Sequence, residues 1–213
     1  MPVLNRIAFY QNRRDEVPNQ ELARDLAERR DLAGIKEIIG NINSKNHNVR
    51  SDCLKVLYEV AYRKPKLVAP HAKVFLDLLE DKNNRMVWGA MIALGTIAAF
   101  NSKPIWDQRA RIFKAIDAGS LITFVWGIRT IAGIAAKSTS RIKEVMPKMQ
   151  KYLRTCKARD VPTHLESMSA LFNESNWAAI EKIVASRKKE MTRSHIARLR
   201  RALKKIEAEH GGR

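Results

Sequence analysis

Trp126 and Arg129 stand one helical turn apart, and two stretches after them crowd cations together. The first includes Lys151, Arg154 and Arg159; the second includes Arg198, Arg201 and Lys205. An indole beside a guanidinium is a stacking pair for a base or another planar group. Lysines and arginines that neutralise phosphates hold polyanions with a steep dependence on salt. Each feature also has a plainer reading. Tryptophan on an apolar helix commonly packs in a core, and the last helix of a stacked array needs a polar outer face.

Catalytic signatures do not emerge from the rest of the chain. His47, His71, His164, His195 and His210 are scattered, and none has a partner at metal-ligand spacing. There is no glycine-rich phosphate loop, no GxSxG and no HExxH. Cys53 and Cys156 are the only cysteines, too few and too far apart for a zinc site. Cys53 occupies a small-residue position on an apolar helix face, so it reads as a buried thiol. A binding protein without cofactor or metal is the expectation, although a site assembled across helices would escape motif reading.

Charge is graded along the chain. Residues 1–60 carry 10 Lys/Arg against 9 Asp/Glu, residues 61–136 carry 11 against 5, and residues 137–213 carry 19 against 8. Such a gradient raises the potential at one end and draws polyanions there. Nucleic acid or an acidic protein surface is the expected partner of a chain with pI near 10.3. No apolar run reaches the length of a membrane span. The opening residues lack the apolar core of a signal peptide, so a cytoplasmic monomer is expected.

The elements that must position these residues are helices. Apolar residues recur with a period near 3.6, and no alternating strand pattern stands out. Residues 1–18 read as a weakly structured lead, 19–209 as one domain and 210–213 as a tail. Helices are predicted at 19–30, 31–42, 48–62, 66–81, 85–100, 104–117, 120–137, 139–156, 161–173, 176–190 and 192–209. Pro147 predicts a kink or a delayed start in the helix over 139–156.

A longer period organises these helices. Val49-Arg50, Cys53, Leu57 and Val60-Ala61 fall on Met86-Val87, Ala90, Leu94 and Ile97-Ala98 at a step of 37 residues. A second step gives Thr123-Phe124, Gly127, Ile131 and Ile134-Ala135; a third gives Asp160-Val161, His164, Met168 and Leu171-Phe172. A fixed period of this size is the mark of stacked helical repeats. Val87-Trp88-Gly89 and Val125-Trp126-Gly127 also match at a step of 38, a competing register that would make the two tryptophans equivalent.

Val49-Arg50-x-x-Cys53-x-x-x-Leu57-x-x-Val60 and Ala90-x-x-Ala93-Leu94-Gly95-x-Ile97-Ala98 resemble the second helix of a HEAT repeat. The resemblance spans residues 31–209 and is strongest over 45–136. It implies an all-α chain, a right-handed α-α superhelix of about five HEAT-like helix pairs with an N-terminal cap helix. It also implies that the second helix of each pair lines a concave face. Helical spacing then puts Asp52, Lys55, Glu59 and Tyr62 on that face, followed by Gly89, Ile92 and Thr96, by Trp126 and Arg129, and by Thr163 and Glu166. The arginine of the family pattern is present only at Arg50, so its usual polar ladder is interrupted.

HEAT-like arrays serve many functions, so the fold does not select one. The leading expectation is a non-enzymatic binding scaffold whose basic C-terminal half takes nucleic acid or an acidic protein. A branch of HEAT-like proteins excises alkylated bases from DNA using tryptophans and a carboxylate. The alternative is therefore a glycosylase acting around Trp126, with Glu166 as its candidate carboxylate. The family's catalytic residues do not carry over, because Trp106-Asp107 is the only Trp-Asp pair and no second aspartate follows within a turn.

Overall fold

A computed structural model describes residues 2–210 and shows helices and turns, with no strand among the described residues. The helices are α1 (Val17–Arg29), α2 (Leu32–Gly40), α3 (His47–Arg63), α4 (Pro65–Val68), α5 (Ala72–Leu78), α6 (Asn84–Ile97), α7 (Ser102–Asp107), α8 (Arg109–Ala118), α9 (Leu121–Ala135), α10 (Thr139–Thr155), α11 (Val161–Met168), α12 (Glu174–Arg187) and α13 (Arg193–His210). The chain divides into two compact units, Met1–Thr130 and Ile131–Arg213, where the sequence suggests one domain over 19–209. Residues 211–213 of the expected tail lie outside the described residues.

In the first unit α1 packs on α3 and α3 on α6, making a row of second helices, while α2, α4 and α5 back that row. The predicted step of 37 is kept where α3, α6 and α9 begin, at residues 47, 84 and 121. The caps explain the punctuation. Asn46 Oδ1 accepts from the amides of Asn48 and Val49, Asn83 Oδ1 from Arg85 and Ser120 Oγ from Thr123. These three residues are themselves 37 apart, so the capping register selects the step of 37 over 38. Asn83→Ala is expected to lower stability by about 1 kcal/mol, read as a shift of the urea midpoint at unchanged slope.

α6 is the most enclosed helix of the first unit. Met86, Ala90, Met91, Ala93, Leu94 and Ile97 are fully buried, as expected of a helix apolar nearly all round and touched on several faces. Two predicted helices are broken. The span 66–81 divides at a 3-10 turn, Ala69–His71, which contains Pro70. The span 104–117 divides at Gln108, whose amide bonds back to Ile105 and Trp106. α10 runs unbroken from a cap on Ser138 with Pro147 inside it, so proline does not delay its start.

The lead is a correction. Residues 3–16 are anchored, not loose: Ile7 and Ala8 are buried. The amides of Val3 and Leu4 donate to the Glu37 carboxylate, Ala8 to Asn19 and Phe9 to Asp52. Buried backbone amides need partners, and here polar side chains of α1, α2 and α3 supply them. Arg50 contributes one rung of polar ladder, donating to the Ile42 carbonyl and pairing with Asp81.

The second unit is built of two short rows. α10 packs on α12, α11 on α13, and α10 on α11. Val145, Met146, Met149 and Leu153 of α10 and Ile180, Ile183 and Val184 of α12 are buried, as are Leu165 and Met168 of α11 and Leu199, Ala202 and Ile206 of α13. No helix among the described residues is long and apolar enough to cross a membrane.

Candidate binding surfaces

The pair read from the sequence is present: the Arg129 guanidinium lies 5.4 Å from the Trp126 ring centroid. Arg129 is exposed and Trp126 half-buried. What the sequence did not reveal is that this pair ends a longer row of aromatic rings. Trp126 of α9 meets Tyr62 of α3 at 5.8 Å between centroids, Tyr62 meets Tyr58 at 6.0 Å, and Tyr58 meets Trp88 of α6 at 6.3 Å. The rings are tilted or edge-to-face, the arrangements that ring quadrupoles favour. Tyr58 and Tyr62, four apart on one helix, were the available signal. Trp126 joins them only because of Gly95.

Gly95 of α6 lies beneath the Trp126 ring. A Cβ at that position would sit 2.6 Å from Trp126 Cε3, closer than any side chain tolerates. Without a side chain there, the indole of α9 crosses α6 and reaches α3. Gly89 plays the same part for α3, since a Cβ there would meet Leu54 at 2.6 Å. Gly127 seats Ile116 and Met91. The small residues of the repeats therefore serve close helix contact as well as the surface.

Lys55 is not an open cation. It is 7% exposed, and its ammonium pairs with Glu16 at 2.8 Å and Glu59 at 2.9 Å. It also lies 4.9 Å from the Tyr58 centroid. Burial alone would push its pKa down; Glu16, Glu59 and Tyr58 together outweigh that and raise it. Glu16 belongs to the anchored lead and also pairs with Arg85 at 2.9 Å. Asp52 is likewise engaged, accepting from Phe9 and from Asn19 Nδ2. The acids of the predicted column in this unit thus tie the lead to α3, or hold Lys55.

The remaining candidates lie in the second unit, on both of its rows. Lys151 and Arg154 are exposed on α10, and Arg154 reaches Gln150 at 3.4 Å. Arg159 is exposed in the turn before α11 and lies 3.8 Å from Asp160. Arg198, Arg201 and Lys205 are exposed on α13. Arg198 donates to Thr163 Oγ1 at 3.0 Å and lies 3.5 Å from Glu166, so that glutamate is part of an α11–α13 contact. Glu166 and Trp126 belong to different units.

The thiols are quiet. Burial pushes Cys53 up to about 12 and Cys156 up to about 11, so neither is thiolate near neutrality. Among the described residues no group of three His, Cys, Asp or Glu side chains is placed to hold a metal ion. Trp106, the tryptophan of the Trp-Asp pair, is buried, and Asp107 pairs with Lys103 at 2.7 Å.

No known protein-family model matches this chain, and no curated protein sequence matches it. Solved structures do. An engineered protein aligns over 99% of this chain and 98% of its own at 17% identity, with a TM-score of 0.61. A second engineered protein aligns over 98% and 100% at 18% identity and a TM-score of 0.60. A designed armadillo repeat protein aligns over 92% and 96% at 14% identity and a TM-score of 0.58. At such identities the likeness concerns fold alone, and the chain has an all-α helical-repeat fold.

Proposed function

We propose that the protein is a non-enzymatic, HEAT-like binding scaffold whose partner is nucleic acid, engaged chiefly through the cationic helices of residues 131–213. The observation that carries this reading is α13. Leu199, Ala202 and Ile206 turn inward, while Arg193, Arg198, Arg200, Arg201, Lys204 and Lys205 are exposed. A terminal helix needs polar residues for solubility, but not residues of one sign. Over residues 131–213 there are 19 Lys/Arg and 8 Asp/Glu, so internal pairing leaves a large positive excess. An excess of this kind is the electrostatic footprint of phosphate binding.

Base excision is less well supported. It needs a carboxylate at the aromatic row, and Glu59, the acid on that row, is committed to Lys55. Glu166 faces Arg198 instead.

The test is binding of single-stranded and duplex oligonucleotides across a salt series. Six phosphate contacts to a single strand predict an affinity loss of about a few hundredfold between 50 and 200 mM salt. Reversing Arg201 and Lys204 to glutamate is expected to weaken binding about tenfold or more and to flatten the salt slope by about two contacts. Negligible binding of every nucleic acid at low salt, with capture of an acidic protein instead, would overturn the reading.

A further inference from the structure

We infer that the aromatic row of the first unit stacks unpaired bases, making the chain selective for single-stranded nucleic acid over duplex. The inference rests on the reading that the polyanion is nucleic acid, and adds to it a second surface that contacts bases rather than phosphates.

Three observations lead there. Tyr62 is 46% exposed, large for an aromatic side chain, and sits mid-row between Tyr58 and Trp126. The planar Arg129 guanidinium already lies over the Trp126 ring, so a flat polar group fits against that indole. The charges along the row also sum to a positive value: Glu16 and Glu59 are matched by Lys55 and Arg85, and Arg129 remains without a carboxylate in this set. The exposed Tyr62 ring, flanked by the half-buried Trp126 and the buried Tyr58 and set beside an unmatched cation, suits a flexible strand, whose base stacks without sequence preference while its phosphate meets the arginine. A duplex offers no base face along its length, because its bases are stacked on one another. An acidic peptide would use Arg129 but would gain little from Tyr62 and Trp88.

Gly95 makes the row possible: the missing Cβ lets the indole reach Tyr62 across an intervening helix.

The test compares three fluorescently labelled probes on the full chain: a thymidine oligonucleotide, an abasic phosphodiester of the same length and charge, and a duplex. The wild type is expected to hold the thymidine strand about tenfold or more above the abasic strand, the yield of one or two stacked bases. Tyr62→Ala, at an exposed position, should erase most of that preference and leave abasic affinity close to wild type, whereas Arg129→Ala, which removes a phosphate contact, should weaken thymidine and abasic strands alike. The α13 charge reversal should weaken all three probes in common and preserve the preference. Equal wild-type affinity for thymidine and abasic strands would overturn the stacking inference while phosphate binding stands. Tighter duplex binding would overturn it as well. Failure of all three probes to bind would remove the nucleic-acid reading and this inference with it.

Discussion

Replacing Arg187 with methionine is expected to lower the stability of the second unit by a few kcal/mol, about 1 to 3 for a buried carbonyl left without its donor. Arg187 lies at the end of α12 and is 7% exposed. Its guanidinium donates to the carbonyls of Leu153 at 2.8 Å, Arg154 at 2.5 Å and Cys156 at 2.7 Å, and to Glu190 at 3.0 and 2.9 Å. Those carbonyls end α10, where no further helical amide can reach them. One side chain therefore both caps α10 and fastens it to α12. Positive charge at a helix C-terminus is favourable in addition. Methionine keeps the hydrophobic volume and leaves three carbonyls without their donor. Lysine should recover only part of the loss, since an ammonium lacks the fork that serves several acceptors at once. Glu190→Gln should cost little, because Glu190 is 47% exposed on its side chain. Hydrogen exchange resolved to α10 and α12 is the measurement, because two units need not unfold in one step. An R187M chain with wild-type protection in both helices would refute the assignment.

That contact shows where sequence reading stops. Arg187 and residues 153–156 are more than thirty positions apart, and no periodic pattern links them. The repeat itself was legible because small and apolar residues recur at fixed offsets, and the structure adds an asparagine or serine cap at 46, 83 and 120 on the same step. Helix existence followed from the 3.6-residue period, and every predicted helix has a counterpart in the structure. The break at 108 did not follow, since the apolar period continues across it, while the break at 69–71 had a signal in Pro70 that the apolar period masked.

The lead was misread for a related reason. Val3, Ile7 and Ala8 make too short a pattern to register, and their anchors are Glu37, Asn19 and Asp52, side chains from three other helices. The same long-range packing moved Lys55 from the open column into an ion cluster, because Glu16 in the lead folds over it. Of the candidate site, Trp126 with Arg129 was legible as a local pair, one turn apart. Tyr62 was legible on the same predicted face, but its contact with Trp126 and the place of Tyr58 in the row were not, because the connection passes through a glycine whose only signal is the absence of a side chain. The cationic stretches were plain in composition, but their division between the α10 and α11–α13 rows depends on packing that composition does not encode.

Acid should weaken the second unit as the pH falls from about 6.5 toward 4. His164 on α11 is 6% exposed, and burial lowers its pKa to about 4, partly opposed by the charge of Asp160. In the unfolded chain the same imidazole titrates near 6.5. Above about pH 6.5 both states hold it neutral, and it contributes no pH dependence. As the pH falls through 6.5 the unfolded chain takes up a proton and the folded chain does not, so stability declines. The decline continues to about pH 4, where the folded protein also protonates and the curve flattens. A shift of this size corresponds to about 3 kcal/mol across the window. Asp25 and Asp77, whose pKa values are held down by Arg6 and Lys73, belong to the first unit, and their contributions fade from the ordinary carboxylate range downward, overlapping only the acid end of this window. His164→Leu removes the titration, so the stability difference between wild type and variant should be constant above pH 6.5 and change by about 3 kcal/mol between 6.5 and 4. Chemical denaturation at half-unit pH steps, followed by a probe in α11 or α13, measures it. Parallel curves for the two proteins through that window would mean that His164 is accessible to protons in the folded state, and that the α11–α13 contact is looser than its buried Leu165, Met168 and Leu199 require.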